Sequence, residues 1–186
     1  MKRITMVVLM FAAPLLLILL ASPCMALEPI RVIEGHVTKV VDGGTIHVRD
    51  LEGAIVKVRL YGIDAPETDK VSQKTGRVSR PGQPYGTEAF HALQDKIDTK
   101  RVKLEVMAVD RYRQLVSMVW IGSQNVNADM VAEGWAWAYR RYLDTSYASA
   151  FINLEEKARR EHKGLWQQRN PQPPGEFRKL QKIRSY

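Results

Sequence analysis

The chain has a single cysteine, Cys24, in 186 residues. One thiol forms no intramolecular disulfide, so the fold stands on its hydrophobic core rather than on cross-links. Its four histidines, His36, His47, His91 and His162, are scattered without metal-ligand spacing, so a Cys/His zinc centre is excluded as well. Acid is also in short supply: 20 Asp and Glu stand against 28 Lys and Arg, a net charge of +8. Such an excess suits an anionic partner, whether nucleic acid, acidic polysaccharide or anionic membrane. There is no internal repeat.

Long apolar runs are absent except at the beginning. Lys2 and Arg3 precede an apolar stretch from Ile4 to Leu20 broken only by Thr5 and Pro14, and Cys24-Met25-Ala26 offers a small-x-small cleavage site. Residues 1–26 therefore read as a signal peptide, which predicts export to periplasm or medium. A membrane anchor and a lipoprotein acylated on Cys24 are the competing readings; Pro14 and Pro23 speak against them in turn. Processing removes Lys2, Arg3 and the only cysteine, so the mature domain stays basic and has no thiol chemistry. The expected organisation is a signal over 1–26, a barrel domain over 27–166 and a basic, Pro-containing tail over 167–186. A monomer without stable membrane insertion is expected after processing.

Residues 33–61 contain three short strands. His36–Val41 is rich in β-branched residues and ends at the turn Asp42-Gly43-Gly44; Thr45–Arg49 follows; Ala54–Tyr61 alternates, with Val56, Val58 and Leu60 on one face and Arg59 on the other. Residues 68–84 read as a basic loop. A helix is expected over about 87–97, then strands over 102–109 and 115–121. Asn127 is expected to cap a short helix ending at Gly134, and a long helix spans about 146–163 with Tyr147, Phe151, Leu154 and Ala158 buried. The prolines of residues 170–175 predict neither helix nor sheet, so the tail is expected to be partly disordered unless it folds back on the barrel. This order of elements predicts a five-stranded OB-type Greek-key barrel with three helices, an α+β fold.

Asp42, Arg59, Asp64 and Glu67 fall at strand ends. Asp64-Ala65-Pro66-Glu67 leaves its strand through a proline-fixed bend, so the Asp64 carboxylate and Ala65 carbonyl are able to face one point. Hard oxygens suit calcium, and an adjacent arginine suits phosphate. The competing reading is a capped loop with Arg59 in an ordinary ion pair.

The words Val41-Asp42-Gly43-Gly44-Thr45-Ile46, Val58-Arg59-Leu60-Tyr61-Gly62-Ile63-Asp64-Ala65-Pro66-Glu67, Asp110-Arg111-Tyr112, Gly134-Trp135-Ala136-Trp137 and Gly164-Leu165-Trp166 occur in one order over about residues 34–166. In these the chain resembles the staphylococcal nuclease family. Pro173-Pro174-Gly175-Glu176-Phe177-Arg178 also looks like the tail of bacterial members. The resemblance implies a calcium-dependent phosphodiesterase acting on single-stranded DNA or RNA. It implies metal-binding roles for Asp42, Asp64 and the Ala65 carbonyl, catalytic roles for Arg59 and Glu67, and substrate contacts for Tyr112 and Tyr142.

Two positions depart from the family pattern. Where the family has Asp-Gly-Asp-Thr, this chain has Gly44 in place of the second carboxylate ligand. Where it has Asp-x-Tyr-Gly-Arg, the ungapped register puts Arg113 at the glycine and Gln114 at the second catalytic arginine. Arg113 takes over substrate contact only if the loop is rebuilt. The two function classes that follow are a weakened exported nuclease and a polyanion-binding barrel without turnover.

Cleavage after Ala26 gives a mature protein beginning at Leu27, checked by intact-mass measurement of the protein recovered from its native envelope. Retention of Met1, or a lipid on Cys24, would count against the signal.

Overall fold

A computed structural model describes residues 28–141, 143 and 145–184, so the expected signal over 1–26 and Tyr142 lie outside the described residues. The main sheet is built from β1 (Arg31–Asp42), β2 (Thr45–Asp50) and β3 (Ile55–Leu60). Two short strands, β4 (Ile63–Asp64) and β5 (Lys70–Val71), and then β6 (Val78–Arg80) follow before α1 (Gly86–Ile97). The chain returns to the sheet in β7 (Arg101–Val109) and β8 (Leu115–Ile121), with β9 (Gln124–Asn125) at its end. Then come α2 (Val126–Ala132), β10 (Trp137–Ala138), α3 (Thr145–Arg160), a 3-10 turn (Gly164–Gln167) and α4 (Pro174–Arg184).

Neighbouring strands run β3-β2-β1-β7-β8, and β3 closes the ring by pairing in parallel with β8. The expected closed five-stranded barrel is therefore present, with four α-helices rather than three among the described residues. Alternation explains the filling: Val37, Val40, Ile46, Val48, Val58, Leu60, Leu104, Val106 and Val119 point inward and are buried. Two register shifts in β1, between Val37 and Lys39 and between Val40 and Asp42, let one strand serve both neighbours. Helix α1 covers one end of the barrel with Ala89, Leu93 and Ile97, all fully buried.

Helix α3 buries Phe151 and Ala158 as its spacing predicts, with Tyr147 and Leu154 half-buried. It also buries Glu155, which accepts from the Ala138 amide at 3.0 Å and pairs with Arg159. The Arg159 guanidinium lies 3.9 Å from the Trp166 ring centroid and 4.7 Å from that of Trp137. Gly134 and Gly164 end their segments against each other at positive φ. A Cβ on Gly134 would fall 2.3 Å from the Lys163 carbonyl oxygen, and one on Gly164 would fall 2.2 Å from that of Gly134, so neither position admits a side chain.

Three local expectations are corrected. The N-cap of α2 is Asn125, whose side chain accepts from the Ala128 amide at 3.0 Å. Asn127 instead points into the barrel wall, fully buried, accepting from the Val119 amide at 2.9 Å and donating to the carbonyls of Tyr61 at 2.8 Å and Ser117 at 3.0 Å. Residues 68–84 contain the small antiparallel pair β5–β6 rather than loop alone. The proline-rich stretch runs into a helix: Pro174 opens α4, where the amide it lacks would have had no partner anyway.

Asn127→Ala is expected to cost about 2–4 kcal/mol, because one amide and two carbonyls lose their partner inside the protein. A urea midpoint lowered with an unchanged slope checks this; a shift under about 0.5 kcal/mol would show that the three groups find other partners.

Candidate functional site

The site forms where β3 ends and the chain bends back along the barrel mouth. Gly62, at φ 74°, turns the chain after Leu60 and Tyr61. Ile63 and Asp64 are then held straight by pairing with Ala138 and Trp137. This pairing buries Asp64, a carboxylate that sequence patterning alone would leave in solvent. Pro66 follows, itself buried, and delivers Glu67 half-buried on the same side.

Glu67 is fixed through its backbone by a residue not anticipated from sequence. The Gln83 side chain accepts from the Glu67 amide at 3.1 Å, and the Gln83 amide donates to the Glu67 carbonyl at 2.7 Å. Gly82 and Gly86 close in on that carbonyl, where an added Cβ would lie 2.5 Å and 2.2 Å from the oxygen. Glu67 thus sits at the start of α1 with its main chain clamped from three directions.

The structure brings Asp64, Glu67 and Arg59 into one electrostatic neighbourhood. Arg59 is exposed on β3, opposite the buried Val58 and Leu60, and its charge reaches Asp64. Asp42, at the end of β1, accepts from the Gly44 amide at 3.0 Å and lies 4.0 Å from the Lys70 ammonium. Ala65 borders the same turn. A Cβ placed on Gly44 would lie 3.8 Å from the Ala65 Cβ and 4.0 Å from an Asp42 carboxylate oxygen, so a side chain fits at position 44 beside both. Gly43 differs: its Cβ would meet that of Ala89 at 2.8 Å, so only glycine lets the turn rest on α1.

The loop at 110–114 is a tight hairpin. The Asp110 carboxylate accepts from the amides of Tyr112 at 2.8 Å and Gln114 at 2.9 Å. Arg113 has φ 61°, the left-handed conformation that favours glycine. The backbone at 113 thus has the shape of the glycine that the ungapped register puts there. Arg111, Tyr112 and Arg113 are exposed, and the Arg111 guanidinium stacks 4.7 Å from the Tyr112 ring centroid.

The largest difference from the sequence expectation is Arg178. From α4 it donates two hydrogen bonds to Asp64, at 3.0 and 2.9 Å, and one to Glu67 at 2.8 Å. Burial pushes the Asp64 carboxyl above the ordinary carboxylate value, while hydrogen bonds and charge from Arg178, and then the charge of Arg59, pull it back. Burial also works against the Arg178 charge, but its hydrogen bonds to Asp64 and Glu67 outweigh this and hold the guanidinium more firmly protonated than usual. Gln83 ties the same tail down, donating to the Gln172 carbonyl at 3.0 Å. In the sequence, Arg178 is one of several cations in a basic tail, and only the motif Pro173–Arg178 sets it apart.

The donor set does not fit a divalent cation with Arg178 in place. Both Asp64 oxygens are taken by the guanidinium, and Gly44 supplies no carboxylate. Among the described residues, no group of three or more His, Cys, Asp or Glu side chains is placed to hold a metal.

Comparison with known proteins agrees with this arrangement of elements. Residues 57–168 match the family described as staphylococcal nuclease homologue. An uncharacterized endonuclease of Haemophilus influenzae is 33% identical over 148 residues, covering 80% of this chain and 74% of its own length. A micrococcal nuclease of Shigella flexneri is 34% identical over 157 residues, covering 80% and 82%. Protein ParB of Escherichia coli is 31% identical over 188 residues, covering 96% of this chain and 95% of its own. With residues 57–168 matched by the family and relatives of 31–34% identity along most of both chains, the chain belongs to the staphylococcal nuclease homologue family.

Proposed function

We propose that this chain is an exported phosphodiesterase that cleaves DNA or RNA, uses calcium, and is slowed by Gly44 and Gln114. The observation that carries the reading is the meeting of Asp64 and Glu67 on one guanidinium at the barrel mouth, where the charge of Arg59 is felt, in a chain whose relatives are named as endonuclease and micrococcal nuclease.

Each group has a task that its placement suits. Arg59 is exposed on rigid β3, so its guanidinium can take two phosphate oxygens at once. Glu67, with its main chain clamped by Gln83, takes the proton of the attacking water as the new P–O bond forms. The opposite P–O bond breaks, and the leaving oxygen takes a proton from solvent. The exposed Lys74, Arg77 and Arg80 along the β5–β6 hairpin supply backbone phosphate contacts, which weaken as salt rises.

The same reading predicts weak turnover. Gln114 is neutral, and losing a cation aimed at the transition state costs about 10³–10⁵ in rate by analogy with arginine fingers. Arg113 stands at the glycine-like corner of the hairpin rather than one residue later. Asp42, Asp64 and the Ala65 carbonyl are the oxygens that would receive calcium, and one missing carboxylate lowers affinity for it. The second reading, a polyanion-binding barrel without turnover, is favoured by one observation: Arg178 already pairs with both Asp64 and Glu67.

Digestion of denatured DNA by the mature chain, in millimolar calcium and in chelator, separates the two. Slow calcium-dependent cleavage is expected of the parent. Gly44→Asp with Gln114→Arg is expected to raise it by about 10³ or more, since ligand and arginine act on the same developing charge. Glu67→Ala in that background is expected to remove the gain. A folded double variant without turnover, both with Arg178 and with Arg178→Gln, would leave the polyanion-binding reading.

A further inference from the structure

Helix α4 is attached to the barrel mainly by polar bonds. Besides the Arg178 contacts, Gln181 donates to the Pro81 carbonyl at 2.5 Å, and the preceding Gln172 carbonyl accepts from Gln83. Pro174 is buried and Phe177 half-buried, but Leu180 and Ile183 are exposed, and α4 packs densely against no other helix or strand among the described residues. A segment held mainly by side-chain polar bonds, with two of its large apolar side chains exposed, is among the first to open.

Its strongest tether is on the carboxylates that the proposed function needs free. The guanidinium covers both oxygens of Asp64 and one of Glu67. Gly175 brings the first turn of α4 close to the same place, its added Cβ falling 4.0 Å from Asp64 Oδ2. A second cation on Asp64 would meet both carboxylate oxygens already bonded to Arg178 and a like charge a few ångströms away, so its binding is opposed while Arg178 stays.

We propose that Arg178 is the resident cation of this carboxylate site, and that a divalent cation and helix α4 compete for Asp64 and Glu67. Cation binding and release of the tail helix are then one equilibrium, and the loss of the carboxylate at Gly44 tilts it toward the helix. The inference rests on reading Asp64 as the cation-binding carboxylate of the site, but not on turnover. The tail is thereby an internal lock on the site, opened by cation concentration.

The test is calcium titration by calorimetry of four mature proteins: the parent, Arg178→Gln, Gly44→Asp, and Gly44→Asp/Arg178→Gln. Hydrogen exchange of residues 174–184 is followed alongside. Removing the arginine is expected to tighten calcium at least about tenfold, since two or more charge-assisted hydrogen bonds no longer compete. In Gly44→Asp, calcium is expected to speed exchange across α4. In the Arg178→Gln proteins, α4 exchanges fast already and calcium changes it little. Equal affinity with and without Arg178, calcium binding to Gly44→Asp that leaves its α4 exchange unchanged, or no calcium binding by any of the four would each overturn the proposal. Should Arg178→Gln fail to fold, the exchange response of Gly44→Asp alone decides. None of these readouts requires cleavage, so a chain without turnover can still pass and an active nuclease can still fail.

Discussion

The parallel pairing of β3 with β8 is the constraint on which the site depends. It turns an open antiparallel sheet into a ring, aligning Arg59 with Val116 and Leu60 with Ser117. The Tyr61 amide continues the seam to the Ser117 carbonyl at 2.8 Å, and Asn127 bridges the carbonyls of Tyr61 and Ser117 just beyond it. Because these groups are buried, leaving them unpaired is costly, so the seam closes in one register. The chain that leaves it must then pass Gly62 and bend at Asp64 over the barrel mouth. The positions of Arg59, Asp64 and Glu67 follow from that closure.

A second constraint is electrostatic. Asp64 is buried by its pairing with Trp137, and an uncompensated buried carboxylate is expensive. Arg178 compensates it with a bidentate pair, at the cost of tying up the group best placed for chemistry. Stability and availability of the site are therefore opposed. Glu155 shows the other outcome: it is equally buried, but its partners Ala138, Arg159 and Arg140 are all structural, and it lies within the packing of α3.

The barrel was legible because its signals are local. Val58 and Leu60 alternate with Arg59 over one strand, Asp42-Gly43-Gly44 marks a turn, and Phe151 and Ala158 repeat at helical spacing. Asn127 was misread for the same reason. A polar residue just before a helix resembles a cap, yet Asn125 lies two residues earlier and takes that place, while Asn127 serves contacts a local pattern cannot reveal. The prolines near residue 173 carry the local signal of a helix breaker, although a proline at the first helical position starts a helix as readily as it ends one.

By itself, the sequence determined the order of the five barrel strands and the first three helices, the bend through Asp64-Ala65-Pro66-Glu67, and, against the family pattern it resembles, the two departures at Gly44 and Gln114. All of these are set by side-chain periodicity, turn chemistry and residue identity within a few positions. The tertiary structure alone decided what meets at the barrel mouth. Arg178 reaches Asp64 across 114 positions of chain, and Gln83 reaches Glu67 and Gln172 across 16 and 89. Apart from the motif that ends on it, no local signal distinguishes Arg178 from Lys179 or Lys182. It becomes the partner of two carboxylates because α4 folds back, and only there is its charge needed.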